Sequence, residues 1–154
     1  MAVSKVVIIG AGLGGLTAAL SLLKRGIDVE IYEQSDHLRE AGAGIQLGAN
    51  GTRVLYALGL ADALAAVQVV PERRELRHFK TGETWNWFEL GAVSQTRYGT
   101  PHLMLHRGDL HHVLTEAVQK LKPDAIAETY WHLAHQDRSA WTLEIEVRPF
   151  KEKF

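Results

Sequence analysis

The stretch that decides the fold is Val6-Val7-Ile8-Ile9-Gly10-Ala11-Gly12-Leu13-Gly14-Gly15. Residues 5–9 are an apolar, β-branched run ended by a glycine, the pattern of a strand buried on both faces. Gly10, Gly12 and Gly15 satisfy G-x-G-x-x-G. A helix is expected over residues 17–24, with Leu16, Leu20 and Leu23 on one side and Arg25-Gly26 as its stop. A second strand is expected over residues 27–32, where Ile27, Val29 and Ile31 alternate with Asp28 and Glu30. Strand, glycine turn, helix and strand make one βαβ unit, which crosses over right-handed into a parallel sheet. The fold class is therefore α/β and Rossmann-like, with the glycine loop at the C-terminal edge of the sheet.

Each glycine has a physical task in such a loop. The first permits the tight turn, the second lets the backbone approach a pyrophosphate, and the third lets helix and strand pack closely. The start of the helix adds unpaired N–H groups and a partial positive charge. Glu33 lies 18 residues after Gly15, at the end of the second strand, where a carboxylate binds ribose hydroxyls. The same carboxylate repels a 2′-phosphate, which disfavours NADP in this site. On these residues alone, NAD and FAD both stay open.

Working outward, residues 41–51 hold a second glycine cluster, read as backbone that lies close against something, with Asn50 as N-cap of a helix that carries Val54, Leu55 and Leu58 and ends at Gly59. Residues 60–67 read as a short alanine-rich helix. From Pro71 the pattern becomes a β-hairpin: residues 75–79, a Thr81-Gly82 turn, and residues 84–88. A polar loop with Pro101 leads to a short strand at residues 103–105. Asp109 then opens a helix with Leu110, Val113, Leu114, Ala117, Val118 and Leu121 on its apolar side, stopped by Pro123. Trp141, Leu143, Ile145 and Val147 repeat with period two, a strand pattern. Trp85 and Trp87 are expected as core aromatics rather than as a face over a substrate. The pairs His111-His112 and His132-x-x-His135 lack the spacing of a metal site, so no metal is expected.

Composition narrows the function. The 154 residues include no cysteine, which excludes zinc thiolates, iron–sulfur clusters and cysteine nucleophiles and fits a reducing compartment. Lys+Arg 17 against Asp+Glu 18 leaves a net charge of -1, with no basic footprint for nucleic acid and no polybasic membrane anchor. No apolar run approaches the roughly 18 residues of a membrane span. A soluble, cytoplasmic protein is the expectation.

Four ordered motifs carry a resemblance: residues 6–16 around the glycine loop, Ile31-Tyr32-Glu33-Gln34, Gly42-Ala43-Gly44-Ile45-Gln46-Leu47 with Asn50, and His106-Arg107-Gly108-Asp109-Leu110. Together they resemble the single-component, FAD-dependent aromatic hydroxylases, in particular the salicylate hydroxylase-like members, over residues 4–126. The resemblance implies that Gly10, Gly12, Leu13, Gly14 and Gly15 lie at the FAD pyrophosphate and that Glu33 and Gln34 lie at the adenosine ribose. It further implies that Arg107 reaches the flavin and that Arg39, Gly42 and Gly44 lie against the cofactor. It implies NADH or NADPH as electron donor, molecular oxygen, and a phenolic or hydroxybenzoate-type aromatic as substrate.

The family's later Asp-Gly and Gly-Asp motifs and its substrate-domain residues have no counterpart here, and residues 127–154 match only loosely. Residues 1–126, including the 71–100 hairpin segment, are therefore expected to be the N-terminal FAD-binding region of such an enzyme, truncated relative to the family fold. Residues 127–154 form a poorly matched segment. A fragment that holds FAD without turnover and an NAD-dependent dehydrogenase are the alternative readings, and no residue is assigned a catalytic role.

Overall fold

The computed structural model describes residues 5–34 and 43–122. Strand β1 (Lys5–Ile9) leads through the glycine loop into helix α1 (Leu13–Leu23), and the chain returns as β2 (Asp28–Tyr32). The two strands pair in parallel, Val6 beside Val29 and Ile8 beside Ile31. The Gly10 N–H continues the pairing onto the Tyr32 carbonyl at 2.6 Å. This is the expected βαβ unit, with the loop at the C-terminal end of β1. Helix α1 stops where the sequence indicates: Gly26 has φ +73°, and the amides of Gly26 and Ile27 return to the carbonyls of Leu23 and Leu22 at 2.9 and 3.1 Å.

One expectation for β1 fails. It is not buried on both faces: Val7 and Ile9 are 53% and 56% exposed. Side chains alternate along a strand, so Ile8 points into the core beneath α1 while Val7 and Ile9 point to the opposite face.

After β2 come β3 (Gly44–Leu47), α2 (Ala49–Ala57), α3 (Ala61–Ala65), β4 (Gln68–Val69), β5 (Arg73–Arg77), β6 (Thr84–Glu89), α4 (Gly91–Tyr98), β7 (Leu103–His106) and α5 (Arg107–Leu121). Strands β3, β7 and β4 form an antiparallel sheet in that order, with Leu105 paired to Ile45 on one side and to Gln68 on the other. The sequence does not announce this sheet, because the glycines around Ile45 and Leu47 mask a short alternation. The core joins Leu16 and Leu20 of α1, Val29 and Ile31 of β2, Leu103 and Leu105 of β7, and Leu110, Leu114 and Val118 of α5.

The β5–β6 hairpin turns at Gly82, φ +74°, and is closed by the His78 N–H on the Glu83 carbonyl at 2.8 Å. Its tryptophans correct the sequence reading, since Trp85 and Trp87 are 72% and 51% exposed. Every residue of β6 and all of β5 but Glu75 are exposed, so among the described residues no second layer covers the hairpin.

Helix starts also differ from expectation. Gly48, not Asn50, caps α2, and Asn50 lies within the first turn. Helix α5 opens at Arg107 rather than Asp109, because the His106 Nδ1 accepts the Gly108 N–H at 3.2 Å and so acts as the cap. Asp109 then sits in the first turn, where a carboxylate complements the helix dipole. Helix α4 occupies the stretch that reads as polar loop. The Ser94 hydroxyl donates to the Thr100 carbonyl at 3.0 Å, and Gly99 closes the helix with φ +74°. Arg39, Gly42, His132, His135 and the 141–147 strand lie outside the described residues.

Candidate functional site

The site is built on the loop between β1 and α1. Gly10 has φ +95°, a conformation that L side chains rarely adopt. A Cβ placed on Gly15 would stand 2.0 Å from the Gly10 carbonyl oxygen, so strand and helix approach here to a distance that only glycine allows. Gly12 is the N-cap of α1 and carries no side chain to cap it. The first bond of the helical ladder runs from the Leu16 N–H to the Gly12 carbonyl at 2.9 Å. The amides of Leu13, Gly14 and Gly15 precede it and have no carbonyl within the helix to bond. Open space surrounds the Cβ position of Gly14. The loop is thus a concentration of backbone donors at the positive end of a helix, with no side chain over them at Gly14 or Gly15.

Ala11, 1% exposed, is fastened at both of its polar atoms. Its N–H donates to the Glu33 Oε2 at 2.7 Å, and its carbonyl stands 2.8 Å from the His111 Nε2. A carbonyl only accepts, so the Nε2 carries the proton and donates. Glu33 follows directly on β2 and is half-buried, and Gln34 beside it is exposed.

The first turn of α5 reaches the same loop. Arg107 and His111 are four residues apart, hence on one face of the helix, and His111 is the residue in contact with Ala11. The Arg107 N–H donates to the Ala43 carbonyl at 3.2 Å, and Gly44 pairs with His106. The second glycine cluster and the His-Arg-x-Asp-Leu motif, far apart in sequence, therefore meet in the β3–β7 pair. Of the residues singled out from the sequence, Gly10, Gly12, Leu13, Gly14, Gly15 and Glu33 form one group, and Gly44 and Arg107 form another that α5 joins to it through His111.

Sequence reasoning weighs His111 only as a metal ligand and misses this contact. Its position between Leu110 and Val113 on the apolar side of α5 was the available signal for a packed polar group. His112 points away and lies 3.4 Å from Glu116 in solvent. Among the described residues, no group of three His, Asp or Glu side chains could hold a metal ion, and no helix is long and apolar enough to cross a membrane.

Comparisons with known proteins agree with this geometry. The chain is 43% identical over 112 residues to the 3-amino-4-hydroxybenzoate 2-monooxygenase PtnB3 of Streptomyces platensis, an alignment that covers 73% of this chain and 28% of that protein. It is 38% identical over 122 residues to the 6-hydroxynicotinate 3-monooxygenase of Pseudomonas fluorescens, covering 79% of this chain and 31% of the relative. Among solved structures, the tetrameric form of 2-methyl-3-hydroxypyridine-5-carboxylic acid oxygenase superposes with a TM-score of 0.68 at 30% identity, over 79% of this chain and 30% of that one. Klebsiella pneumoniae HpxO complexed with FAD and uric acid gives 0.67 at 31% identity, with the same coverage. The chain thus spans about a third or less of the length of these relatives. A strand–glycine loop–helix unit of this geometry, and a match to the FAD binding domain model that runs over residues 3–146, place the chain in the FAD binding domain family.

Proposed function

We propose that the chain binds FAD and supplies the dinucleotide-binding part of a flavoprotein monooxygenase that hydroxylates a phenolic or hydroxybenzoate-type aromatic with NADH or NADPH and molecular oxygen. The observation that carries this reading is the glycine loop at the start of α1: Gly12, Gly14 and Gly15 put no side chain there, a Cβ on Gly14 would meet open space, and one on Gly15 would stand 2.0 Å from the Gly10 carbonyl oxygen. A pyrophosphate is the ligand chemistry that such a set of backbone donors fits. The names of the relatives supply the substrate class: 3-amino-4-hydroxybenzoate and 6-hydroxynicotinate are both hydroxylated rings that bear a carboxylate.

In this reading the amides of Gly12, Leu13, Gly14 and Gly15 hold the pyrophosphate, with Gly10 making the turn. The Glu33 carboxylate, set at the end of β2, accepts from the adenosine ribose hydroxyls, with the Gln34 amide alongside. A 2′-phosphate there would meet the Glu33 charge. Arg107, with Gly44 next to it, borders the flavin side of the site, and Arg39 is assigned a cofactor contact on its sequence position alone. When bound, FAD supplies hydride acceptance from the pyridine nucleotide and the activation of oxygen. The chain's own part is to bind and orient, and residues 1–126 carry it.

Titration with FAD, followed by flavin fluorescence and competed with ADP and NAD+, tests the reading. Saturable FAD binding displaced by ADP is expected, whereas tighter binding of NAD+ than of FAD would point to a dehydrogenase site. Chromatography of the FAD-loaded chain with NADH, oxygen and 3-hydroxybenzoate then separates two roles. A hydroxylated product assigns the chain turnover, and intact FAD binding without product assigns it the holding of FAD alone.

A further inference from the structure

We propose that His111 is a positioning residue for the glycine loop, holding the peptide between Ala11 and Gly12 in the orientation that presents the Gly12 N–H to a dinucleotide pyrophosphate. The inference rests on the FAD-binding reading above. Its observations are a buried imidazole, 4% exposed, and an Nε2 placed 2.8 Å from the Ala11 carbonyl across 100 residues of sequence.

Peptide planarity links the two groups. In a trans peptide, C=O and N–H point in opposite directions. The Ala11 carbonyl is drawn towards α5 by His111, so the N–H of the same peptide, that of Gly12, is turned away from α5. The preceding peptide is fixed independently: its N–H, on Ala11, goes to Glu33, and its carbonyl, on Gly10, faces Gly15. Two successive peptide planes are therefore set by two side chains from different parts of the chain. Glu33 sets the first and His111 the second. Without the imidazole donor, the Ala11 carbonyl would be buried without a partner, and the cheapest relief is rotation of that peptide, which also swings the Gly12 N–H.

Glutamine and asparagine separate this role from simple packing. The amide of a glutamine side chain reaches about as far as the Nε2 of histidine, whereas that of asparagine reaches only as far as the Nδ1. In the full chain, His111→Gln is expected to keep ADP and FAD affinity within about threefold of wild type. His111→Asn is expected to weaken both by about tenfold, the size of one lost hydrogen bond with a buried partner left behind. Equal affinities for the two variants, whether both retained or both lost, would overturn the assignment. A second measurement needs no variant: nitrogen NMR of the wild-type imidazole should show the Nε2-protonated tautomer, and a proton on Nδ1 alone would likewise overturn it. Failure of wild type to bind either ADP or FAD would instead overturn the FAD-binding reading itself, while wild-type binding with an unaffected His111→Asn removes only the role given to His111.

Discussion

The Glu33 carboxylate takes the Ala11 N–H at 2.7 Å, so the acid at the end of β2 is fastened to the loop at the end of β1. An acid expected at a ribose thus also organises the loop, and its substitution carries two costs. Glu33→Ala is expected to weaken FAD binding by about 1–3 kcal/mol, the size of a lost charge-assisted hydrogen bond. Glu33→Gln keeps an acceptor for Ala11 but loses the charge, and should fall between Glu33→Ala and wild type. Titrating FAD against the three proteins decides it, and equal affinities would leave Glu33 as a tie between strand and loop with no part in binding.

Gly14 and Gly15 are adjacent in α1, yet the structure demands opposite responses from them. Gly15→Ala drives a Cβ to 2.0 Å from a backbone oxygen that cannot move without parting β1 from α1. Overpacking of this kind costs about 1–3 kcal/mol or more. Gly14→Ala meets nothing within 4 Å and replaces a poor helix former, so it should leave stability unchanged or raise it by about 0.4–1 kcal/mol. Thermal unfolding of the apoprotein measures both. If the pyrophosphate lies over the start of α1, Gly14→Ala should also weaken FAD binding while the protein itself stays folded.

Acid should weaken the tie between β2 and the end of α5. The Lys122 Nζ donates to the Asp28 carboxylate at 2.7 Å and to the Val29 carbonyl at 3.1 Å. The Lys122 hydrogen bond, ahead of its charge, holds the Asp28 pKa below its ordinary value. A depressed carboxylate pKa gives stability that is present above the unfolded value, about 3.9, and is lost as pH falls through the lower folded value. Urea midpoints of wild type and Asp28→Asn should therefore differ at neutral pH, begin to approach one another near the unfolded value of about 3.9, and converge only below the lower folded value. A difference that persisted in acid would show that the Asp28→Asn change perturbs packing rather than the ion pair.

The parts of the fold that were legible in the sequence are those where a local pattern and the packing agree. The unit from β1 to β2 could be read because Leu16, Leu20, Val29 and Ile31 each fall on the side their periodicity assigns, whereas the unbroken apolar run of β1 has no alternation to show that Val7 and Ile9 face outward. The parts that were not legible depend on distant partners. Gly44–Leu47 is a strand only because Leu103–His106 pairs with it, and nothing in the short run around Ile45 announces that. Gly91–Tyr98 contains few apolar residues and is held by Thr100, beyond its own end. In the site, the glycines and Glu33 were visible through spacing, because the 17 residues between Gly15 and Glu33 suffice for a helix and a strand. The His111 contact, which joins the first loop to the fifth helix, leaves no spacing to read.

The hairpin tryptophans give a direct test of how burial is distributed. Their composition suggests a core, and the structure exposes both on β6, where Trp87 pairs with Glu75 across the strands and Trp85 lies 5.0 Å from the His78 ring. An exposed strand residue contributes through cross-strand contact, about 0.2–1 kcal/mol, and threonine keeps the strand preference of the position. Trp87→Thr should therefore lower stability by no more than about 1 kcal/mol. Leu114, 1% exposed in the contact between α5 and the core, is the control: Leu114→Ala should cost about 2–5 kcal/mol through the cavity it leaves. Urea unfolding of the full chain compares the two. A loss at Trp87 as large as that at Leu114 would mean that the hairpin is covered by another layer and that its indole is a core residue after all.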